Sequence, residues 1–157
     1  GIDAIITFDK IMQGSQYPIL VNKNYSIQIT NDIILTGTWE YAREIEVNDK
    51  KIIQLMKFRT ENNRFQVLSQ MNHDLELTAA ALAFSETFNL NHADFQLVYV
   101  DIYKNKMIAS YRTVKDFELL KQTVISVAKC IRNNIKCISP DKRCYHCEYR
   151  DACSASL

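Results

Sequence analysis

The segment IILTGTWEYAREIEVNDKKIIQLMKFRT, residues Ile33–Thr60, establishes the architecture of this chain. Its two halves, Ile33–Val47 and Ile52–Thr60, are rich in isoleucine, valine, threonine and aromatic residues, a composition that favours β-strands. The residues between them, Asn48-Asp49-Lys50, are typical of a turn. Tyr17–Ile29 has the same β-rich character. Together these segments predict an antiparallel meander of three strands.

Helical and alternating patterns flank the meander. Ile2–Met12 fits a short helix, and Asp74–Phe88 has leucine and alanine at helical spacing, where the many alanines suit close packing on a sheet. Phe95–Tyr103 and Met107–Arg112 alternate as the strands of a hairpin do. A long amphipathic helix follows, and its apolar stripe consists of Phe117, Leu120, Val124, Val127 and Ile131. The predicted order is α-βββ-α-β(β)-α, an α+β sandwich with a central mixed sheet flanked by helices.

The composition is that of a globular chain without an overall charge bias. The 157 residues are 47% hydrophobic and include only 3 Gly and 2 Pro, which argues against a disordered chain. A net charge of +1 gives no global basic field, so contact with nucleic acid needs a local groove. No apolar run is long enough for a membrane helix, and no signal peptide is visible. Because the chain begins with Gly1 rather than Met, we expect an excised piece of a larger protein.

All five cysteines lie near the C-terminal end, at Cys130, Cys137, Cys144, Cys147 and Cys153. A disulfide scaffold would spread its cysteines through the chain, so this cluster predicts a metal or cluster site in a reducing compartment, and hence a cytoplasmic location. Cys130 lies inside the predicted long helix, where we expect a core position. We predict two parts: residues 1–138 form the core, and residues 139–157 form a cysteine-bearing tail.

Four local motifs accompany this order of elements: Gly37-Thr38-Trp39-Glu40, Lys57-Phe58-Arg59-Thr60, Asp74-Leu75-Glu76 and Cys144-x2-Cys147-x5-Cys153. Together they resemble the RecB-type branch of the PD-(D/E)XK nuclease superfamily, which includes helicase-fused nucleases and CRISPR-associated exonucleases. The cysteine motif is the most specific of the four. The resemblance implies a restriction-endonuclease-like core, truncated at its N-terminus, from a DNA-processing or DNA-repair protein.

The resemblance also implies how an active member works. Two strand carboxylates hold Mg²⁺ or Mn²⁺, and a lysine two residues beyond the second acid stabilises the charge that develops on the phosphate. Here Glu40 stands at the first acid position, Lys57 at the second and Arg59 at the lysine position. Ile52–Thr60 contains no Asp or Glu, so this strand by itself builds no metal site. Lys57 and Arg59 share one strand face and could replace the charge of the ion by pairing with Glu40.

Glu76 leaves a second possibility open, because some members of the superfamily carry the second metal carboxylate on this helix. Glu40, Glu76 and Lys57 could then rebuild a site. Alternatively, Glu76 faces solvent or pairs with Lys57 or Arg59. Two functions follow. One is a DNA-processing nuclease domain, an exonuclease or a helicase-associated nuclease, with a degenerate metal site. The other is a catalytically inactive relative that binds DNA or a partner, or contributes structure.

In the family, the three tail cysteines and a fourth, upstream cysteine hold a 4Fe–4S cluster. No cysteine precedes Cys130 here, so Cys137 is the nearest substitute for the fourth ligand beside Cys144, Cys147 and Cys153. A 4Fe–4S cluster or a zinc ion is therefore implied for the full-length protein. The basic side chains of Lys142 and Arg143 are candidates for contact with a DNA backbone. The implied partners are DNA and either an upstream helicase, another domain or a partner subunit.

Overall fold

The computed structural model describes residues 6, 8–10, 12, 18–47, 49–59, 74–102, 104 and 106–135. Within these residues, five strands form one sheet in the order β1-β2-β3-β4-β5. The strands are β1 (Pro18–Thr30), β2 (Ile33–Val47), β3 (Lys50–Arg59), β4 (Phe95–Asp101) and β5 (Lys106–Ser110), and the helices are α1 (Leu75–Phe88) and α2 (Val114–Arg132). Residues 6, 8–10 and 12 are also helical.

The sheet is mixed because the chain returns to it in a different direction after the meander. Strands β1, β2 and β3 are successively antiparallel. Strand β4, which follows α1 in the chain, is parallel to β3, and β5 is antiparallel to β4. The predicted α+β fold with a central mixed sheet is therefore confirmed. The predicted position of the fourth strand beside the meander is confirmed as well.

Helix α1 has a defined start, a defined end and one buried side. The Asp74 carboxylate accepts a hydrogen bond from the backbone N–H of Leu77 at 2.9 Å, which caps the N-terminus. The chain leaves the helix at Asn89, whose φ of 51° is in the left-handed region that a helix C-terminus commonly adopts. Eight consecutive residues, Leu77 to Phe84, are buried, and four of them are alanines. Their small side chains let the helix lie close to the sheet.

Two apolar clusters cover the two faces of the sheet. On one face, Tyr41, Met56, Val98, Val100 and Ile102 form a buried cluster, against which Met12 and Phe58 pack. On the other face lie Leu55 and Leu97, which alternate with Met56 and Val98 along their strands. Helix α1 covers this second face, where Phe84 contacts Phe95 with ring centroids 5.4 Å apart.

The strand bounds differ from the predicted ones mainly at the ends. The third strand begins at Lys50 rather than Ile52, because Lys50 and Lys51 pair with Val47 and Glu46 across the turn. The final strand ends at Ser110 rather than Arg112. Beyond it, the Arg112 side chain is buried and forms hydrogen bonds with side chains rather than continuing the ladder. The predicted element itself is confirmed.

The long helix α2 is confirmed, but its apolar stripe is only partly buried. Phe117 and Leu120 are buried, whereas Val127 and Ile131 are exposed. Cys130 is a free cysteine of intermediate exposure, so the predicted core position is wrong. The chain forms two compact units, Gly1–Gln122 and Thr123–Leu157. In the described part of the chain, no helix combines the length and the hydropathy needed to cross a bilayer.

Candidate functional site

Strands β2 and β3 and the beginning of α1 surround a small pocket. Three charged side chains contribute to its wall: Glu40 from β2, Lys57 from β3 and Glu76 from α1. The remaining lining residues are Thr38, Trp39, Leu55, Met56, Leu77 and Ala80. The structure therefore brings three of the four predicted catalytic residues to one pocket, although they lie on three different elements.

Glu40 is fixed at the point where β2 and β3 stop pairing. The ladder between the two strands runs as far as the pair Tyr41 and Met56. Beyond that pair, Oε2 of Glu40 accepts a hydrogen bond from the backbone N–H of Phe58 at 2.7 Å. The carboxylate thus satisfies a β3 donor at the place where the ladder ends. One of its two oxygens therefore has a structural role, as the acceptor of a hydrogen bond from the sheet backbone.

Lys57 points to the first turn of α1. Its ammonium donates a hydrogen bond to Glu76 Oε2 and lies 3.8 Å from Asp74 Oδ2. It also lies 5.9 Å from the centroid of the Tyr99 ring, within the range of a cation–π contact. The Lys57 side chain is 20% exposed, whereas that of Glu76 is 76% exposed. Of the alternatives open from the sequence, the ion pair of Glu76 with Lys57 is observed, and Glu76 faces solvent as well.

The Asp74 carboxylate accepts two hydrogen bonds, and both favour its ionised form. Its Oδ1 caps α1, and its Oδ2 accepts a hydrogen bond from the Tyr99 hydroxyl. Burial acts to raise the pKa of Asp74. The hydrogen bonds from Tyr99 and Leu77 and the charge of Lys57 outweigh burial and lower the pKa below its ordinary value. Burial and the neighbouring Asp74 raise the pKa of Tyr99, so its hydroxyl remains a donor.

The lowered pKa of Asp74 predicts an acid-dependent loss of stability. Ionised Asp74 stabilises the fold above the pKa of an unfolded aspartate, about 3.9, and this contribution disappears as the pH falls through the lower folded-state pKa. Asp74→Asn keeps a good N-cap but removes the charge. We expect the difference in unfolding free energy between the wild type and this variant to be largest near neutral pH. Urea unfolding at several pH values measures it, and a difference that stays constant down to about pH 3 would contradict the assignment.

The glycine of the β2 motif is explained by a neighbouring ring. Tyr25 on β1 lies directly over Gly37, and a Cβ atom at position 37 would come within 2.3 Å of the Tyr25 hydroxyl oxygen. Burial and then the charge of Glu76 raise the pKa of Tyr25, which indicates that this ring lies near the pocket. Gly37 is therefore required for close packing beside the site.

Two further residues belong to this cluster, Asp74 and Tyr99, and neither was predicted as a site residue. Tyr99 is the register partner of Lys57 on the parallel strand β4. Because side chains alternate along both strands, register partners project to the same face. The sequence predicted a strand at Tyr99 but not its register with β3, so the contact could not be found.

The remaining predicted site residues are Arg59 and the residues of the C-terminal tail. The charge of Arg59 acts to lower the pKa of Tyr99, which is consistent with a position on the Lys57 face of the sheet. Its pairing with Glu40 stays a prediction. The predicted metal ligands and the predicted DNA-binding residues all lie outside the described residues: Cys137, Cys144, Cys147, Cys153, Lys142 and Arg143.

Comparison with known proteins assigns the chain to a family. The sequence model of the PD-(D/E)XK nuclease superfamily matches residues 43–154, and the chain therefore belongs to that superfamily. Among solved structures, the chain is similar to one titled "Crystal structure of SSO0001", with a TM-score of 0.50 and 12% identity over 98% of this chain and 69% of that chain. At this identity, the likeness shows the fold alone. No curated protein matches the chain.

Nucleases of this superfamily generally use Mg²⁺ or Mn²⁺, but the side chains of the pocket do not fit a divalent ion as they stand. Oxygen ligands are present in Glu40, Asp74 and Glu76, yet the ammonium of Lys57 already contacts the last two. Strand β3 contributes no carboxylate. Within residues 18–47, 49–59 and 74–102, as in the other described residues, no group of three or more His, Cys, Asp or Glu side chains is arranged to hold a metal ion.

Proposed function

We propose that this chain is the nuclease-superfamily domain of a DNA-processing protein, of the RecB-type branch, and that its pocket does not hydrolyse phosphodiester bonds. The domain then contributes DNA binding, partner binding or structure to an exonuclease or a helicase-associated nuclease. One observation carries the proposal. The charged group that β3 presents to the pocket is the ammonium of Lys57, held by Asp74 and Glu76.

Electrostatics explains why this arrangement opposes hydrolysis. Two unit charges of the same sign 4 Å apart repel each other by about 4 kcal/mol near a protein surface, and a divalent ion doubles that figure. Without the ion, the scissile phosphate is not polarised and the attacking water keeps its high pKa. The remaining carboxylates are poor substitutes as general bases. Glu40 accepts the Phe58 N–H, and Asp74 is occupied by Tyr99 and Leu77.

A second candidate function is an active nuclease with a relocated site. The observation in its favour is that Glu40 and Glu76 line the same pocket as Lys57. If Glu76 released Lys57, the two glutamates would offer oxygen ligands, and the ammonium would face the phosphate. The high exposure of the Glu76 side chain, 76%, gives it the freedom to do so.

A nuclease assay separates the two functions. We expect the folded chain to leave linear single-stranded and double-stranded DNA intact in the presence of Mg²⁺ or Mn²⁺. Glu40→Gln and Glu76→Gln, purified identically, give the background from contaminating nucleases. Degradation by the wild type that both variants abolish would overturn the proposal and establish the relocated site. Degradation that is equal in all three preparations is background and agrees with the proposal.

The tail forms a separate part of the proposal. In the full-length protein, Cys144, Cys147 and Cys153, with Cys137 as the fourth ligand, hold a 4Fe–4S cluster or a zinc ion. Lys142 and Arg143 beside them contact DNA phosphates. The family resemblance of the cysteine motif supports this, and such a thiolate-ligated site fits a reducing compartment, so the proposed location is the cytoplasm. Iron and zinc analysis of protein purified without oxygen tests the site.

A further inference from the structure

We infer that the ammonium of Lys57 is the resident cation of the pocket: it replaces a divalent ion and joins β3 to the N-terminus of α1 without any metal. This inference deepens the proposed function, on which it rests, because it states what the altered pocket does instead of catalysis. The joint consists of Lys57, Asp74, Glu76 and Tyr99. We call these four residues the cation joint.

The charges of the pocket require a cation. Glu40 and Glu76 line it, and Asp74 adjoins it through Lys57. Asp74 and Glu76 stand at the beginning of the same helix, where the helix dipole favours them but does not cancel their mutual repulsion. Lys57 contacts both carboxylates at once. A single ammonium therefore compensates two anions that come from one element, and it does so from another element.

Lys57 is held in this position rather than resting on the surface. Its side chain is 20% exposed, and its ammonium lies over the ring of Tyr99. Tyr99 reaches the same Asp74 carboxylate from the adjacent strand. Two neighbouring strands thus bind one helix terminus through one carboxylate. Such an arrangement is more rigid than two flexible side chains that meet in solvent.

The same helix provides a matched control. Lys121 pairs with Glu86 on α1 at 2.8 Å, but the two side chains are 40% and 38% exposed. Exposed pairs of this kind contribute little to stability. Lys121→Ala removes from α2 an ammonium that contacts α1, and it leaves one carboxylate, rather than two, without its cation. It therefore separates a general effect of charge from an effect of the cation joint.

Without the Lys57 ammonium, the pocket should be able to bind a divalent metal ion in its place. Asp74 and Glu76, the two carboxylates that Lys57 contacts, would then lose their counter-charge, and Glu40 lines the same pocket. Carboxylate oxygens are the ligands that hard divalent ions prefer. We therefore expect Lys57→Ala to gain a response to Mn²⁺ that the wild type lacks.

Thermal unfolding of the full chain, in EDTA and in millimolar Mn²⁺, tests the inference. We expect Lys57→Ala to melt roughly 3–6 °C below the wild type in EDTA and to recover at least half of this loss in Mn²⁺. The wild type and Lys121→Ala should not respond to Mn²⁺. The double variant Lys57→Ala/Glu76→Gln should lose the Mn²⁺ response. Lys57→Gln, which keeps a donor but no charge, serves as a second variant.

Three results would overturn the inference: an unchanged melting temperature of Lys57→Ala in EDTA, a Mn²⁺ response equal to that of the wild type, or a response that survives Glu76→Gln. If both Lys57 variants are unfolded in EDTA, recovery of folded circular dichroism on addition of Mn²⁺ supports it, and no recovery overturns it. DNA degradation by the wild type that Glu40→Gln and Glu76→Gln abolish would overturn the proposed function. An absent Mn²⁺ response in the Lys57 variants would overturn the cation joint alone.

Discussion

Replacement of Trp39 by alanine is expected to lower the free energy of unfolding by about 3–5 kcal/mol, the range for loss of a large buried aromatic side chain. Trp39 is 2% exposed. Its ring centroid lies 5.0 Å from that of Tyr25 on β1 and 5.8 Å from that of Phe84 on α1. Its indole N–H donates a hydrogen bond to the carbonyl of Ala80 at 2.9 Å. The variant loses contacts with the sheet and the helix at the same time.

Urea unfolding followed by circular dichroism measures this loss, because the only tryptophan of the chain is removed and fluorescence is not available for the variant. Trp39→Phe is the matched control. It keeps an aromatic ring in the cavity but removes the indole donor, so its expected loss is about 1–2 kcal/mol, from the hydrogen bond and reduced packing. If Trp39→Ala were no less stable than Trp39→Phe, the ring would not hold α1 on the sheet.

The fold could be predicted from the sequence because its signals are local. Ile33–Val47 was predicted with the bounds that β2 has in the structure. A β-rich composition and turn residues determined these bounds, and both are read from neighbouring positions. The predicted bounds are wrong where contacts with residues distant in the sequence determine the end of an element. The predicted final strand extended to Arg112, but hydrogen bonds with Thr78, a residue 34 positions away, draw this side chain inside.

The site could be predicted only in part for the same reason. The family resemblance identified Glu40, Lys57 and Glu76, and these three line one pocket. It did not identify which carboxylate Lys57 would contact, because that depends on the start of α1 relative to β3. Asp74 was known from the sequence as the opening of a helix, and its role as an N-cap follows from that position. Its contacts with Lys57 and Tyr99 require the register of β3 and β4, which no local pattern contains.

The position of Asp74 between the pocket and the interior connects the site to the stability of the fold. Tyr99 donates to Asp74 from β4, and the charge of Asp74 acts on Arg112, which is 3% exposed. Burial lowers the pKa of Arg112, whereas the charge of Asp116, followed by that of Asp74, acts to raise it. A buried guanidinium therefore lies within electrostatic range of the cation joint, whereas the cation that lowers the pKa of Asp74 is Lys57.

Arg112→Met is expected to lower the free energy of unfolding by about 3 kcal/mol, because hydrogen bonds to a charged group contribute about 1.5–3 kcal/mol each and do not add fully. The Arg112 Nε donates to Thr78 Oγ1 at 2.7 Å, and its Nη1 donates to Ser110 Oγ at 2.8 Å. These bonds connect α1 with the end of β5. Methionine fills the space of the arginine stem but leaves both hydroxyl oxygens without this donor. Urea unfolding at neutral pH measures the loss.

Arg112→Lys separates the charge from the geometry of the guanidinium. Lysine retains the positive charge near Asp74, but its single ammonium cannot reproduce the planar fork that reaches Thr78 and Ser110 together. We expect its stability at neutral pH to lie between those of the wild type and Arg112→Met. The dependence of stability on acid pH should group Arg112→Lys with the wild type and set Arg112→Met apart. Acid protonates the carboxylates of Asp116 and Asp74, whose charges act on Arg112. The wild type and Arg112→Lys should therefore lose this stabilisation as the pH falls below about 4, whereas Arg112→Met lacks it and should lose less unfolding free energy over the same range. Equal losses of unfolding free energy on acidification for all three proteins would show that Arg112 acts through its hydrogen bonds alone and not through the charges of Asp116 and Asp74.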